Sequence, residues 1–356
     1  MGDLSSLHQA NLLATETDYG TDAVDAVLDD AEADIIYPEV RDDWTVGPAE
    51  IQPVEVPRAR PNAGGNRHGV VKNVTPVAGG FPLVGRRESV TTPDWHPLFL
   101  AMNLAPTVAG GDVTYNPTIV GQDAFTIYHW KRYLDADDWR LIYTTGVRGN
   151  GNFQFSLDEE VYCDFEGSGL WNGVLSGAAE FFDPSTGALA LDKAEEAITA
   201  RTGGDELISS VDPTIATDMT IKIDDVAFCV ASMNLNLNWS PALKRCISGD
   251  SATKKVALFR PASGSRIGGD MSFVDGDEAL DKAMAMYETA EEVSLEIVCQ
   301  NADTRIKFES DFIQFMQIAE EDQDGYLGHT VPFSLNTDWA GLANSSELEI
   351  TVEDTD

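Results

Sequence analysis

Basic side chains are scarce in this sequence. Its 356 residues hold 23 Lys and Arg against 60 Asp and Glu, a formal charge of −37 with a pI near 4.2. A chain so short of cations is not a dedicated nucleic-acid binder, because adhesion to phosphate needs net positive surface and counterion release. Long apolar runs are missing too, and none approaches the roughly 20 residues of a membrane helix. The opening MGDLSSLHQANLLATETDYG has neither a basic region nor an extended apolar stretch. It predicts no secretory signal, and so a protein made in the cytoplasm and soluble there. Cysteine is nearly absent. Cys163, Cys229, Cys246 and Cys299 are far apart, mostly in apolar strand-like text, and read as buried thiols. With no CxxC and no histidine at metal spacing, zinc is excluded.

Catalytic signatures are equally thin. The five histidines, His8, His68, His96, His129 and His329, are scattered, and no GxSxG, HExxH, Walker loop or Cys/His pattern occurs. Glu159 and Glu160 could be paired as glycosidase acids, but among 60 carboxylates any pairing is cheap. In AEEDQDGYLG (319–328), Asp322, Asp324 and Gly325 imitate part of a calcium loop. The oxygen spacing and distal Glu of an EF-hand are lacking, so the segment reads as a Gly-closed hairpin turn. GVRGNGNF (146–153) has no Lys-Ser/Thr and reads as a turn between strands. The sequence predicts no enzyme, no cofactor and no metal site.

What is present is a folding composition: 43% hydrophobic and 9% aromatic, with 7 Trp, 15 Phe and 9 Tyr. A disordered acidic chain would lack these residues. The length suits two cores, since one core rarely grows beyond about 250 residues. Carboxylates spread over the whole chain, with only 9 Lys, point to adaptation to molar salt and to an extremely halophilic host. The charge is far beyond the magnitude of about 2–8 that keeps a small domain soluble.

Strand-length alternation dominates. MTIKIDD, ASMNLNLNWS, AFTIYHW, FQFSLDEEVYCDF, VSLEIVCQ, TRIKFES, TVPFSLNT and SELEITVE each read as a strand. Helical patterns are few: PDWHPLFLAMNLA (93–105), DEALDKAMAMYETA (277–290) with Leu280, Met284 and Tyr287 as its stripe, and ALDKAEEAITAR (190–201). The fold class expected is mainly β, in two tandem folds: an N-terminal arm (1–33), a first β domain (34–172), a linker with a short helix (173–217) and a second β domain (218–356). The two halves match in order and spacing. Each main helix begins 59 residues after the start of its half, counted from Asp34 and Asp218, and each follows a Gly-Gly strand, GGFPLVG or GGDMSFV.

Charge repeats in the same places. Residues 53–90 and 239–268 hold twelve of the 23 bases and only three of the 60 acids. Both stretches are rich in Pro, Gly, Ser or Asn, as exposed loops or extended hairpins are. Arg58, Arg60 and Arg67 in the first arm, and Lys244, Arg245, Lys254, Lys255, Arg260 and Arg266 in the second, are the candidate contacts to another copy of the chain.

ETDYGT (16–21), PDWHPLFLAMNL, DVTYNPT and above all the block from AFTIYHW through GVRGNGNFQFSLDEEVYCDFEGSGLW resemble the tail tube proteins of tailed viruses. The resemblance covers residues 10–175 well and the second half by element order only. It implies a β-sandwich or partial barrel with a flanking helix in each half. It also implies rings whose inner strands form one β-barrel, and stacking of those rings through a long loop. The genome would pass through the bore without specific binding, alongside other tail proteins in the virion, with no membrane involved. Because tubes built from one fold per chain close with six copies, a tandem chain predicts a trimeric, pseudo-sixfold ring. A ring of six whole chains is the alternative. With the halophilic composition, the resemblance points to a virus of a haloarchaeon. Other virion components (baseplate, tail terminator, capsid decoration) and a carbohydrate-binding or surface β-sandwich share the β-rich, acidic profile.

Overall fold

A computed structural model describes residues 9–21, 23, 40–47, 52–56, 67–71, 74–83, 92–118, 123–133, 138–156, 160–176, 219–244, 255–259, 267–274, 278–300, 304–316, 318–323, 326–336 and 347–354. In chain order the first half contributes β1 (Gln9–Thr15), β2 (Thr45–Val46), β3 (Gln52–Val56), β4 (Arg67–Val71), β5 (Val74–Pro82), α1 (His96–Ala101), β6 (Leu104–Ala109), β7 (Asp112–Pro117), β8 (Phe125–Tyr133), β9 (Asp138–Ser156) and β10 (Tyr162–Ser176). The second half contributes β11 (Met219–Ile223), β12 (Val226–Phe228), β13 (Ser232–Asn236), β14 (Ser240–Lys244), β15 (Lys255–Phe259), β16 (Gly268–Val274), α2 (Glu278–Thr289), β17 (Val293–Gln300), β18 (Thr304–Phe315), β19 (Ala319–Gln323), β20 (Tyr326–Leu335) and β21 (Glu349–Asp354).

The protein is mainly β, and among the described residues every strand pairing is antiparallel. In the first half the strands lie side by side as β2–β5–β10–β9–β8–β1. In the second half the order is β13–β16–β20–β18–β17–β11. The chain visits both rows in the same sequence, with a helix after the third strand each time. A separate two-stranded hairpin stands between the second and third strands of each row: β3–β4 in one, β14–β15 in the other. These hairpins fall in the two basic arms. Two seams join the rows into one large curled sheet: residues 152–156 of β9 pair with β13, and β21 pairs with β7 of the β6–β7 hairpin.

One core runs under both halves. Phe99 of α1 stacks near Trp95 (ring centroids 4.0 Å apart) and meets Phe153 of β9 edge-on at 5.7 Å. Phe153 and Phe155 in turn meet Phe308 of β18 at 5.1 and 5.3 Å. Such edge-to-face pairs contribute about 0.5–1.5 kcal/mol each beyond their area burial. The apolar sides of β9 and β18 are thus held against each other by aromatic contacts rather than by the chain between them.

Several elements differ from their sequence reading. FQFSLDEEVYCDF is two strands, the end of β9 and the start of β10, because acidic residues 158–160 interrupt the apolar alternation. GVRGNGNF is no turn but the middle of β9. Its glycines clear space for neighbours: a Cβ on Gly149 would lie 2.5 Å from the Phe165 ring, and one on Gly151 would lie 2.3 Å from Met102 Sδ. The helix expected over 93–105 covers only His96–Ala101, with Pro97 in its first turn. It stops because Asn103 takes a left-handed conformation (φ 60°) that redirects the chain into β6. In α2 the buried stripe is Leu280 and Ala283 with Met286 packed on the core, whereas Met284 and Tyr287 are exposed. Cys163 and Cys299 are buried, but Cys229 is exposed just beyond β12. The helix proposed at 190–201, Cys246 and residues 177–217 of the linker lie outside the described residues, while β1, within the first 33 residues, pairs with β8 along its whole length.

Burial at α1 also sets a pH response. His96 Nδ1 lies 2.7 Å from the Tyr115 hydroxyl, and burial holds the imidazole pKa down at about 4 against an ordinary 6.5. A depressed base favours its neutral form, so its contribution is present above pH 6.5 and is lost as pH falls towards 4. The shift corresponds to on the order of 3 kcal/mol. Between pH 7 and pH 4, unfolding free energy is expected to fall further in the wild type than in His96→Gln, by roughly this amount. Parallel curves for the two proteins would show that the histidine is not buried in the neutral form.

Candidate functional site

Strand alternation turns Phe153 and Phe155 of β9 into the core, and so leaves Asn150, Asn152 and Gln154 on the opposite face. The pairing register extends that face across both halves. One rung runs Asp164, Asn152, Asn236, Gly268, Ser334, Gln314, from β10 to β18. The next runs Gln154, Asn234, Asp270, Pro332, and on the first rung's other side Glu166 stands opposite Asn150. The side chains are tied laterally. Asn150 Nδ2 donates to Asn236 Oδ1 at 2.9 Å, Gln154 Nε2 to Asp164 Oδ2 at 3.4 Å, and Asn234 Nδ2 to Asp270 Oδ2 at 3.5 Å. An open depression of about 540 Å³, lined by Asn234, Asn236, Asp270 and Gln314 among others, lies on the second half's part of this face.

None of these rung residues is Lys, Arg or His. Arg41 borders the face near Asp164, but it is stacked 3.9 Å over the Tyr162 ring and lies 3.7 Å from Glu160. Burial, and then the neighbouring charge of Asp43, raise the pKa of Asp164 above the ordinary carboxylate value. Amides and carboxylates make up most of the side chains of these rungs. They make a polar, negatively charged face, and negative charge without cations disfavours the approach of phosphate. Among the described residues, no group of three or more His, Cys, Asp or Glu converges in a way that could hold a metal ion.

A second constellation ties one arm down. In the ETDYGT turn, the carboxylate of Glu16 accepts the backbone N–H groups of Gly20 and Gly146 and the Thr126 hydroxyl (2.9 Å). Burial pushes its pKa up against the pull of those bonds. Gly146 is available for this because its φ of +64° marks a bulge where β9 shifts register on β8. Arg148, two residues on, is buried and lies 4.5 Å from the Tyr19 ring. Its guanidinium donates to Asp123 O at 3.0 Å and to Val256 O of β15 at 2.8 Å, while the Val256 N–H donates to the Tyr19 hydroxyl. The Tyr19 pKa is raised to about 12 by burial. The hairpin of the second half is thereby fastened to the first half.

The sequence pointed to the arms and missed this clasp. Its one signal was an arginine outside both basic arms, between valine and glycine in a segment that reads as a turn. Of the candidate contacts, Arg58, Arg60, Arg245, Lys254, Arg260 and Arg266 lie outside the described residues. Arg67 opens β4 opposite Val56, and Lys244 stands opposite Lys255 in the β14–β15 hairpin. Asp322 sits in β19 opposite Leu327, and the two strands stay paired up to Gln323 and Tyr326, with Asp324 outside the described residues.

Removing the clasp has a definite expected cost. Arg148→Met keeps an unbranched apolar stem but loses two charge-assisted bonds, each contributing about 1.5–3 kcal/mol. We expect a loss of roughly 3 kcal/mol in unfolding free energy, with faster amide exchange at Val256. Tyr19→Phe should cost about 1 kcal/mol. Unchanged exchange at Val256 in Arg148→Met would mean that the hairpin is held by its apolar contacts alone. No family model matches the chain, and no curated protein matches it.

Proposed function

We propose that this chain is a structural virion protein that assembles into the stacked rings of a viral tail tube, with the polar sheet face turned to the bore. The observation that carries this reading is the repeat of one six-strand order in both halves, each with a helix after its third strand and a hairpin in the same slot. On this reading the chain is two tandem tube-like β folds, each with one flanking helix. The rungs of Asn, Gln, Asp and Ser supply a wall along which DNA can slide. Three chains then make six folds and a pseudo-sixfold ring. The basic arms point towards the acidic wall of other copies, where Arg58, Arg60 and Arg67, and Lys244, Arg245, Lys254, Lys255, Arg260 and Arg266, make contact-range pairs. The genome passes without specific binding, other tail proteins cap the tube, and the host is a haloarchaeon.

Electron microscopy of the purified protein in molar KCl tests the reading directly. Stacked rings with an open bore, and threefold averages with pseudo-sixfold features, are the expected result. Sixfold symmetry of whole chains would replace the trimer by the hexamer. Capped single rings would favour a tail terminator or baseplate part, and dispersed monomers would remove the tube reading.

A further inference from the structure

The seam inside the chain has two counterparts that carry no such pairing among the described residues. β9 uses both edges. It lies along β10 on one side, and on the other it pairs first with β8 and then, through residues 152–156, with β13. In the second half β18 and β19 together take the place of β9. Residues 313–315 and 319–323 run in turn along β20, and β18 pairs with β17 on its other side. β19 is therefore the equivalent of the segment of β9 that receives β13. Among the described residues its edge away from β20 pairs with no strand.

The complementary vacancy is at β2. This strand occupies in the first row the position of β13 in the second, and among the described residues it pairs with β5 alone. The side-chain pattern agrees with that equivalence. Thr45 is exposed and Val46 buried in β2, where β13 has half-buried Asn234 followed by buried Leu235.

We propose that β2 of a second copy of this chain pairs antiparallel with the free edge of β19, repeating between chains the β9–β13 seam within the chain. The inference rests on the reading that the chain assembles with itself, and it names the two edges that do so. Charge supports a copy of this chain as the occupant. β19 carries Glu320, Glu321 and Asp322 on an edge that is unpaired among the described residues, and charged residues on an edge strand discourage pairing with arbitrary strands. The arm that follows β2 in sequence carries Arg58, Arg60 and Arg67, a charge complementary to those acids. Within the chain, the hairpin that follows β13 lies on the half that β13 joins: Arg148 donates to Val256 O, and the Val256 N–H donates to the Tyr19 hydroxyl. The contact is head-to-tail, β19 of one copy to β2 of the next, and such contacts close into rings when the rotation allows.

Cysteine pairs test it in the full chain. In a Cys229→Ser, Cys246→Ser background, Thr45→Cys is combined in turn with Ala319→Cys, Glu320→Cys and Glu321→Cys, and the protein is oxidised gently in molar KCl. At least one pair should give covalent oligomers that stop at a fixed size, while each single cysteine stays uncrosslinked. The control pair Asn234→Cys with Gln154→Cys, opposed in the intrachain seam, should close within the monomer. Assembled rings with no crosslink from any of the three pairs, alongside a closed control, would overturn the inference and leave the tube reading standing. Crosslinked rings that never stack around an open bore would do the reverse. As a second measurement, changing Glu320, Glu321 and Asp322 together to Lys should abolish oligomers in sedimentation while the circular dichroism spectrum is kept. Oligomers that survive the change would count against the charge argument and the assigned edge.

Discussion

Replacing Gly269 by Ala is expected to leave almost no folded protein. A Cβ there would sit 1.8 Å from the carbonyl oxygen of Asn234 and 2.7 Å from its carbon. These are backbone atoms of β13, so no side-chain rotation relieves the clash. The strand itself must retreat, and β13 is the one that joins the second row to β9. Ordinary overpacking costs about 1–3 kcal/mol. Here loss of the seam comes on top, and together these approach the 5–15 kcal/mol that hold a typical domain together. Gly79→Ala should act alike in the first row. Its Cβ would fall 2.3 Å from Trp44 Cα, and its φ of +142° is a conformation that disfavours any side chain. Gly111 is the control. It has a φ of +105° and open space around a Cβ, so Gly111→Ala should cost only about 1 kcal/mol of turn strain. The measurement is soluble yield followed by thermal unfolding. A Gly269→Ala protein that melts near the wild type would mean that β13 and β16 are less tightly apposed than the register implies.

These glycines show where the sequence was legible and where it was not. The Gly-Gly pairs could be found as text, and so could the strands that alternate cleanly, among them β11, β13 and β17. Local alternation is a property of a short window, and the windows were intact. The places that failed were those where a distant residue decides. Gly149 and Gly151 look like turn residues until Phe165 and Met102 are known to fill the space beside them. Met284 looked like a core position because it stands four residues from Leu280, but the helix rolls so that Ala283 faces the sheet. The seams β9–β13 and β21–β7 join residues some 80 and 240 positions apart, and no periodicity reports such pairs. The polar face was invisible for the same reason. Asn152, Asn236 and Gln314 become one surface only through the register. Arg148 was passed over because a single arginine carries no pattern, and its role depends on Tyr19, Asp123 and Val256 arriving from three other places in the chain.

Withdrawing salt is expected to unfold the protein or dissolve its assemblies. The chain carries −37, and its described ion pairs are few and lie at contact range. Lys222 and Lys307 both grip Glu296, Lys307 also meets Glu309 at 2.6 Å, and Arg305 meets Glu353 at 3.2 Å. The hydrogen bond from Lys222 comes first among the causes that hold Glu296 below the ordinary carboxylate value. Contact-range pairs of this kind survive in molar salt, where the Debye length is about 3 Å, whereas diffuse repulsion among the unpaired acids does not. At about 0.01 M the Debye length grows to roughly 30 Å, and each carboxylate then feels most of the others in the domain. The exposed pairs gain a little from dilution, but each contributes no more than about 1 kcal/mol, and the acids outnumber the bases by more than two to one. Repulsion therefore dominates. The melting temperature should fall steeply as KCl is diluted, and lowering the pH should partly restore it. Glu16, Asp123, Asp164 and Glu349 all have carboxyl pKa values raised by burial, so their neutral forms are favoured in the fold. Their contribution is fully present below the ordinary carboxylate pKa and is lost as pH rises through the raised values. His96 works in the opposite direction over pH 6.5 to 4, so the acid rescue should be larger in His96→Gln than in the wild type. A neutral osmolyte separates screening from general strengthening of apolar burial. If it restores stability at low salt as fully as KCl does, charge repulsion is not what unfolds the chain.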